Sequence, residues 1–171
     1  MDSKEKSKIA FRMIARAETG LMFLERFLTN CRGTDTAWSR SLYILLSYSF
    51  ELILKSALVL SGTFATLEDL KEKLRKLSHN IKKISNELGS AELSRIGIKN
   101  IEPNTTKSFL GYVVETKNDR KIRIEDFINV RYDFTSDDIR GPRKDESEEI
   151  RKDIQVMWDF LREIKKGLVL A

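Results

Sequence analysis

Residues 67 to 88 read LEDLKEKLRKLSHNIKKISNEL, and the fold turns on how this stretch is read. Leu67, Leu70, Leu74, Leu77, Ile81, Ile84 and Leu88 recur at spacings of three and four without a fault. That is the pattern of one helix, started at Thr66, that lays an apolar seam lengthwise against a neighbour. On such a helix His79, the only histidine of the chain, points away from the buried side. Arg75, Lys76, Lys82 and Lys83 share that outer surface, whereas the first half of the helix carries Glu68, Asp69 and Glu72. The alternative register breaks the helix at Ser78, which then caps a second one with His79 in its first turn.

The flanking sequence extends the helical pattern in both directions. Residues 4 to 31 place Ile9, Met13, Ala17, Leu21, Leu24 and Leu28 on one face, with Gly20 interrupting at some cost and Arg32-Gly33 as the stop. A second helix, capped by Thr34 or Asp35, runs through Trp38, Leu42, Leu45 and Leu52 to about Ser61, with Gly62 as its stop. It is apolar almost all round, so it belongs in the middle of the assembly, antiparallel to the first. After Pro142, Asp145, Glu146, Glu148 and Glu149 crowd the start of a last helix and Lys165 and Lys166 its end, matching the helix dipole. Ile150, Ile154, Met157, Leu161, Ile164 and Leu168 give it a buried face.

Between these lies a polar excursion, residues 89 to 144, with both prolines, Pro103 and Pro142, and most of the turn formers. Within it Tyr112 to Glu115 and Lys121 to Ile124 flank a turn at Asn118-Asp119 and predict a small β-hairpin. The expectation is therefore an all-α protein: an up-and-down helical bundle of four main helices forming a single domain over 1–171, with residues 89–144 as an insertion before the last helix.

Composition limits the chemistry. A chain of 171 residues with 33% charged and 41% hydrophobic residues is long enough for one globular core. The net charge of +5 favours anionic partners. Cys31 stands alone, and one histidine cannot build a Cys/His metal cage, so neither disulfides nor a metal is expected. Cys31, with no base near it in sequence, reads as inert. No phosphate-binding glycine loop, dinucleotide fingerprint or Gly-x-Ser-x-Gly elbow is present, and no cofactor is expected. The N-terminus lacks the apolar core of a signal peptide. LYILLSYSFELILKSALVL is long enough to span a bilayer, but Glu51 and Lys55 lie near its centre, where each charge costs ~2.5 kcal/mol or more. It reads as a core helix of a cytoplasmic protein, not a membrane span.

Three groups of residues are candidates for function. The cations around His79 suit phosphate, because several of them share the desolvation and release counterions. The same cations also simply solvate a helix face and complement its C-terminal half. As a catalytic base His79 lacks any carboxylate near it in sequence to orient it. Glu51 and Lys55 are the only charges between Arg40 and Glu68. One turn apart, they are either an exposed pair contributing ~0.3 kcal/mol or an inward-facing pair at a groove. Arg131 and Tyr132 can hold a phosphate and its base or ribose, or else lock the final helix. Arg120, Lys121, Arg123, Arg140, Arg143 and Lys144 make the excursion basic, though acids are interleaved among them.

The sequences ELILKSALVLSG, SHNIKKI and FINVRYDF, with a final helix of acidic start, resemble the HEPN superfamily of helical domains over most of the chain. Glu51, Leu54, Lys55, Leu58 and Gly62 match its second-helix pattern, with Ala57 in place of the first leucine of a pair. His79, Asn80 and Ile81 stand where a His-Asp-Leu motif is usual, and Arg131-Tyr132 is followed by Asp133 where many members have proline. The resemblance implies a helical bundle, commonly a homodimer, that binds nucleotides or nucleic acid beside a nucleotidyltransferase partner, or that cleaves RNA. Nuclease members resemble one another in an arginine followed, four to six residues later, by a histidine near the start of the last helix. No histidine follows Asn80 here, and Arg75 and His79 have three residues between them on another helix. The resemblance therefore implies a non-catalytic, nucleotide- or nucleic-acid-binding protein. The alternatives are a dimerising interaction module and a metal-independent RNase with His79 and Arg75 as its catalytic pair.

Overall fold

The computed structural model describes residues 1–30, 36–106, 109–125 and 144–168. Arg32-Gly33 and Cys31, the caps Thr34 and Asp35, and the pair Arg131 and Tyr132 lie outside the described residues. Helix α1 (Ser3–Asn30) buries Ala17, Leu21, Leu24 and Leu28 as its spacing predicts, but at its N-terminal end the buried positions are Ala10 and Ile14, one residue on from the expected Ile9 and Met13, which are half-buried. Helix α2 (Thr36–Ser61) packs along it and buries residues around its circumference, including Leu46, Phe50, Ile53, Leu54 and Ala57. Gly20 is no accident in this contact. A Cβ there would come within 2.4 Å of Ser49 Oγ on α2, so the missing side chain lets the two backbones approach.

The apolar seam of residues 67–88 belongs to two helices. Helix α3 (Leu67–Leu77) begins at Thr66 with a capping box, in which Thr66 Oγ1 accepts from the Asp69 N–H and Asp69 accepts from the Thr66 N–H. It ends at Ser78, whose φ of +50° turns the chain. Helix α4 (Ile81–Arg95) then starts with Asn80 as its cap, Oδ1 accepting from the Lys83 N–H at 2.8 Å. The expectation of one continuous helix is corrected, and the cap is Asn80 where the alternative register has Ser78. The seam survives from Leu70 onward: Leu70, Leu77, Ile81, Ile84 and Leu88 are buried on both sides of the corner and Leu74 is half-buried, whereas Leu67, at 38% exposure in the first turn of α3, falls outside it. Apolar spacing reports most of the buried positions; it does not report whether the backbone bends between them.

Residues 89 to 95 complete α4 beyond a kink at Gly89, so the excursion begins later than expected. It is a three-stranded antiparallel sheet of β1 (Ile98–Thr106), β2 (Phe109–Thr116) and β3 (Lys121–Glu125), in that order. The β2–β3 hairpin matches the sequence reading, with Tyr112 opposite Ile124 and Glu115 opposite Lys121. β1 was not expected. Pro103 is tolerated there because β1 is an edge strand. Ile98, Ile101, Tyr112, Val114, Ile122 and Ile124 turn one sheet face into the common core.

Helix α5 (Lys144–Lys165) closes the molecule, burying Ile150, Ile154, Met157, Phe160, Leu161 and Ile164. Polar latches tie it to α1: Trp158 Nε1 donates to Glu25 at 2.9 Å, Arg151 donates to the Leu28 carbonyl at 2.6 Å, and Lys165 pairs with Glu18. The architecture is mostly helical with a small antiparallel sheet. Leu42–Ser61 is long and apolar enough to cross a membrane, and 72% of that window is buried inside the protein.

Candidate functional site

Glu51 lies midway along α2, which is packed by α1, α4, α5 and β3. With neighbours on so many sides, its side chain is only 3% exposed. An isolated carboxylate in that position is very costly, and it persists where both oxygens find charged or hydrogen-bonding partners. Oε1 accepts from Lys55 Nζ at 2.7 Å, and Oε2 lies 2.8 Å from His79 Nδ1. Since a carboxylate only accepts, Nδ1 carries the proton of this bond. Lys55 Nζ donates a second bond, at 2.6 Å, to the Ser78 carbonyl. That carbonyl belongs to the end of α3, where intrahelical partners run out.

The site is thus an α2 carboxylate and ammonium that hold the α3–α4 corner and set the plane of an imidazole. Two sequence expectations are corrected by it. Glu51 and Lys55 are the inward-facing pair, not the exposed stripe, because α2 is enclosed. His79 has a carboxylate partner, 28 residues away in sequence and invisible until α2 and the corner are brought together. The imidazole is not wholly wet either: its side chain is 40% exposed, one edge on Glu51 and the remainder partly open to solvent.

The cationic surface contracts. Lys76 is paired with Glu72 at 2.7 Å, and Lys82 reaches across to the Ile101 carbonyl of β1 at 2.8 Å. Lys82 therefore ties α4 to the sheet, whereas Lys76 stays exposed with its charge offset by Glu72. Arg75 and Lys83 are exposed on either side of His79 in sequence, and neither side chain forms an ion pair among the described residues. Lys73 and Glu87, 2.5 Å apart, bridge α3 to α4 and brace the corner.

A second polar cluster joins the sheet to α5. Arg120 Nη2 donates to Asp153 at 2.9 Å. Burial pushes the Asp153 carboxyl up to about 6, against the opposing pull of the arginine. The sequence offered Arg120 only as one of several basic residues, and nothing local pointed to Asp153, because the pairing depends on how the hairpin meets the last helix. Among the described residues no group of three histidine, cysteine, aspartate or glutamate side chains is placed to hold a metal ion.

Chemically, a carboxylate on one ring nitrogen fixes the tautomer and orientation of an imidazole, as it does for histidines that bind anions or move protons. The flanking Arg75 and Lys83 supply positive charge that phosphate oxygens accept. Comparison of the chain with protein-family models, with curated proteins and with solved structures finds no match.

Proposed function

We propose that this protein is a non-catalytic, HEPN-like helical protein that binds the phosphate groups of a nucleotide or nucleic acid at the α3–α4 corner. The observation that carries the reading is His79: a partly exposed imidazole whose Nδ1 is anchored at 2.8 Å on a buried carboxylate. A ring held in one orientation loses less freedom when an anion arrives than a freely rotating one. Arg75 and Lys83 contribute a charge-assisted and salt-sensitive part of the contact. The family resemblance adds Arg131 and Tyr132 as further binding residues, and with them an up-and-down four-helix bundle, a cytoplasmic homodimer and a nucleotidyltransferase partner. Filter binding of labelled single-stranded RNA, single-stranded DNA and ATP across a salt series tests it. Binding that weakens steeply with salt and falls in Arg75→Glu and His79→Ala is expected; absence of binding to all three probes in dilute buffer removes the reading.

The carboxylate–imidazole bond itself favours a second reading, a metal-independent RNase. There Glu51 would position His79 to take the proton from a ribose 2′-hydroxyl while Arg75 neutralises the phosphate. RNA that is cleaved by the wild-type protein and spared by both His79→Ala and Arg75→Ala variants would establish it. RNA left intact after long incubation leaves the binding reading alone.

A further inference from the structure

The exposed apolar surface among the described residues is concentrated on α1. Among the described residues, four large apolar side chains stand out into solvent, and Phe11, Met22 and Phe23, at 57%, 47% and 54% exposure, are three of them. Phe23 stacks on Phe27 with ring centroids 6.4 Å apart and lines a groove. The groove, about 580 Å³, runs between α1 and α2 and is lined by Ala15, Gly20, Phe23, Leu45 and Tyr48, with Arg16 at its rim. Gly20 forms part of its floor where α1 and α2 approach most closely, with Leu45 packed against it.

Among the described residues the charge around this groove has one sign. There, Arg12 and Arg16, one turn apart on the exposed face of α1, form no ion pair, and Arg26 continues the same helix with none. The flanking acids point elsewhere, Glu18 to Lys165 and Glu25 to Trp158 on α5. Glu5 lies about two turns further toward the N-terminus than Arg12. An apolar floor under a cationic rim is complementary to a helix with apolar anchors on one side and carboxylates beside them. A second copy of this chain fits poorly, since a two-fold contact sets arginine rim against arginine rim without acids to meet them. A nucleic-acid strand, which needs aromatic platforms for successive bases, meets only Phe23 and Tyr48 here, on a floor otherwise made of Ala15, Thr19, Gly20 and Leu45.

We propose that the α1–α2 groove docks an acidic amphipathic helix of a partner protein, with its apolar anchors over Gly20 and between Phe23 and Tyr48, and its carboxylates on Arg12 and Arg16. The segment from Arg16 to Phe23 covers two turns, which matches anchors at i, i+3 or i+4, and i+7. The site uses residues distinct from the His79 corner, so the two readings stand or fall separately.

The test is fluorescence anisotropy with a labelled synthetic peptide of about four helical turns, leucines at the anchor spacing and glutamates elsewhere. Controls are an isomer with scattered leucines and a version with lysine for glutamate. The full-length protein is expected to bind the first peptide and neither control, with affinity about tenfold weaker in Arg16→Glu and in Phe23→Ala, and unchanged in His79→Ala. Circular dichroism checks each variant, and Arg16→Glu, at an exposed position, carries the test if Phe23→Ala is misfolded. The proposal is overturned if no peptide binds or the scattered isomer binds as well. Displacement of the peptide by oligo(dT), or self-association abolished by Arg16→Glu, would equally assign the groove to another occupant.

Discussion

Glu51 is the residue on which the site depends. It is a buried charge with both oxygens committed, and removing it strands the Lys55 ammonium, itself only 12% exposed, and frees the imidazole of His79. Breaking a buried ion pair from one side typically costs ~3–5 kcal/mol, so Glu51→Ala is expected to lose about that much in urea unfolding. His79→Ala removes the half-exposed partner and should cost less, on the order of 1 kcal/mol. Asp153 makes a different prediction at the same scale. Its carboxyl ordinarily titrates near 3.8, and folding raises it to about 6. The folded state therefore holds the proton more tightly, and Asp153 favours folding most at acidic pH. That contribution is lost as pH rises from about 4 through about 6, by on the order of 3 kcal/mol. Exposed carboxylates with neighbouring cations, such as Asp119 and Glu149, are shifted downward and act in the opposite direction. Comparing unfolding of the wild type with Asp153→Asn at pH 4 and pH 8 isolates the aspartate: the variant should gain relative stability at the higher pH. A constant difference between the two proteins would contradict the assignment.

At the scale of elements, the α1–α2 contact is set by two small residues. Gly20 has no room for a Cβ, and Ser49 Oγ, facing it, is fully buried without a hydrogen-bond partner. Gly20→Ala would gain ~1 kcal/mol of helix propensity but forces the helices apart or the hydroxyl aside, with a net loss of about 1–2 kcal/mol expected. Ser49→Ala removes the unsatisfied hydroxyl and should be neutral or stabilising by about 1 kcal/mol. Combined, the two should be less destabilising than their sum, since the alanine at residue 20 no longer meets an oxygen; strict additivity in the double-mutant cycle would contradict the contact. The α3–α4 corner has its own logic. Asn80 caps α4 from the position just before it, while Ser78, at positive φ, ends α3 and presents its carbonyl to Lys55.

For the whole molecule, the helical faces were legible in the sequence, and so was the β2–β3 hairpin, because 3.6-residue and two-residue periodicities are local properties. Leu21, Leu24, Ile154 and Leu161 are buried as their spacing requires. What periodicity does not contain is the break at Ser78, since the seam continues across it, or β1, whose proline and asparagines read as irregular chain. The site was half legible. His79, Glu51 and Lys55 stand out by rarity, but the bond between the first two links residues 28 apart in sequence and depends on packing. Lys82 and Lys76 looked like free cations because sequence alone does not show the Ile101 carbonyl or Glu72 reaching them.

Buried Glu51 holds His79 at the α3–α4 corner, which is proposed to bind phosphate. The most direct test of that binding is a salt-series titration of labelled single-stranded RNA against wild type, His79→Ala, Arg75→Glu and Lys83→Glu, each verified as folded. Wild-type binding is expected to decline steeply with ionic strength and to fall about tenfold in each variant. Affinity that is the same in all four proteins, or absent in all four at low salt, would contradict it.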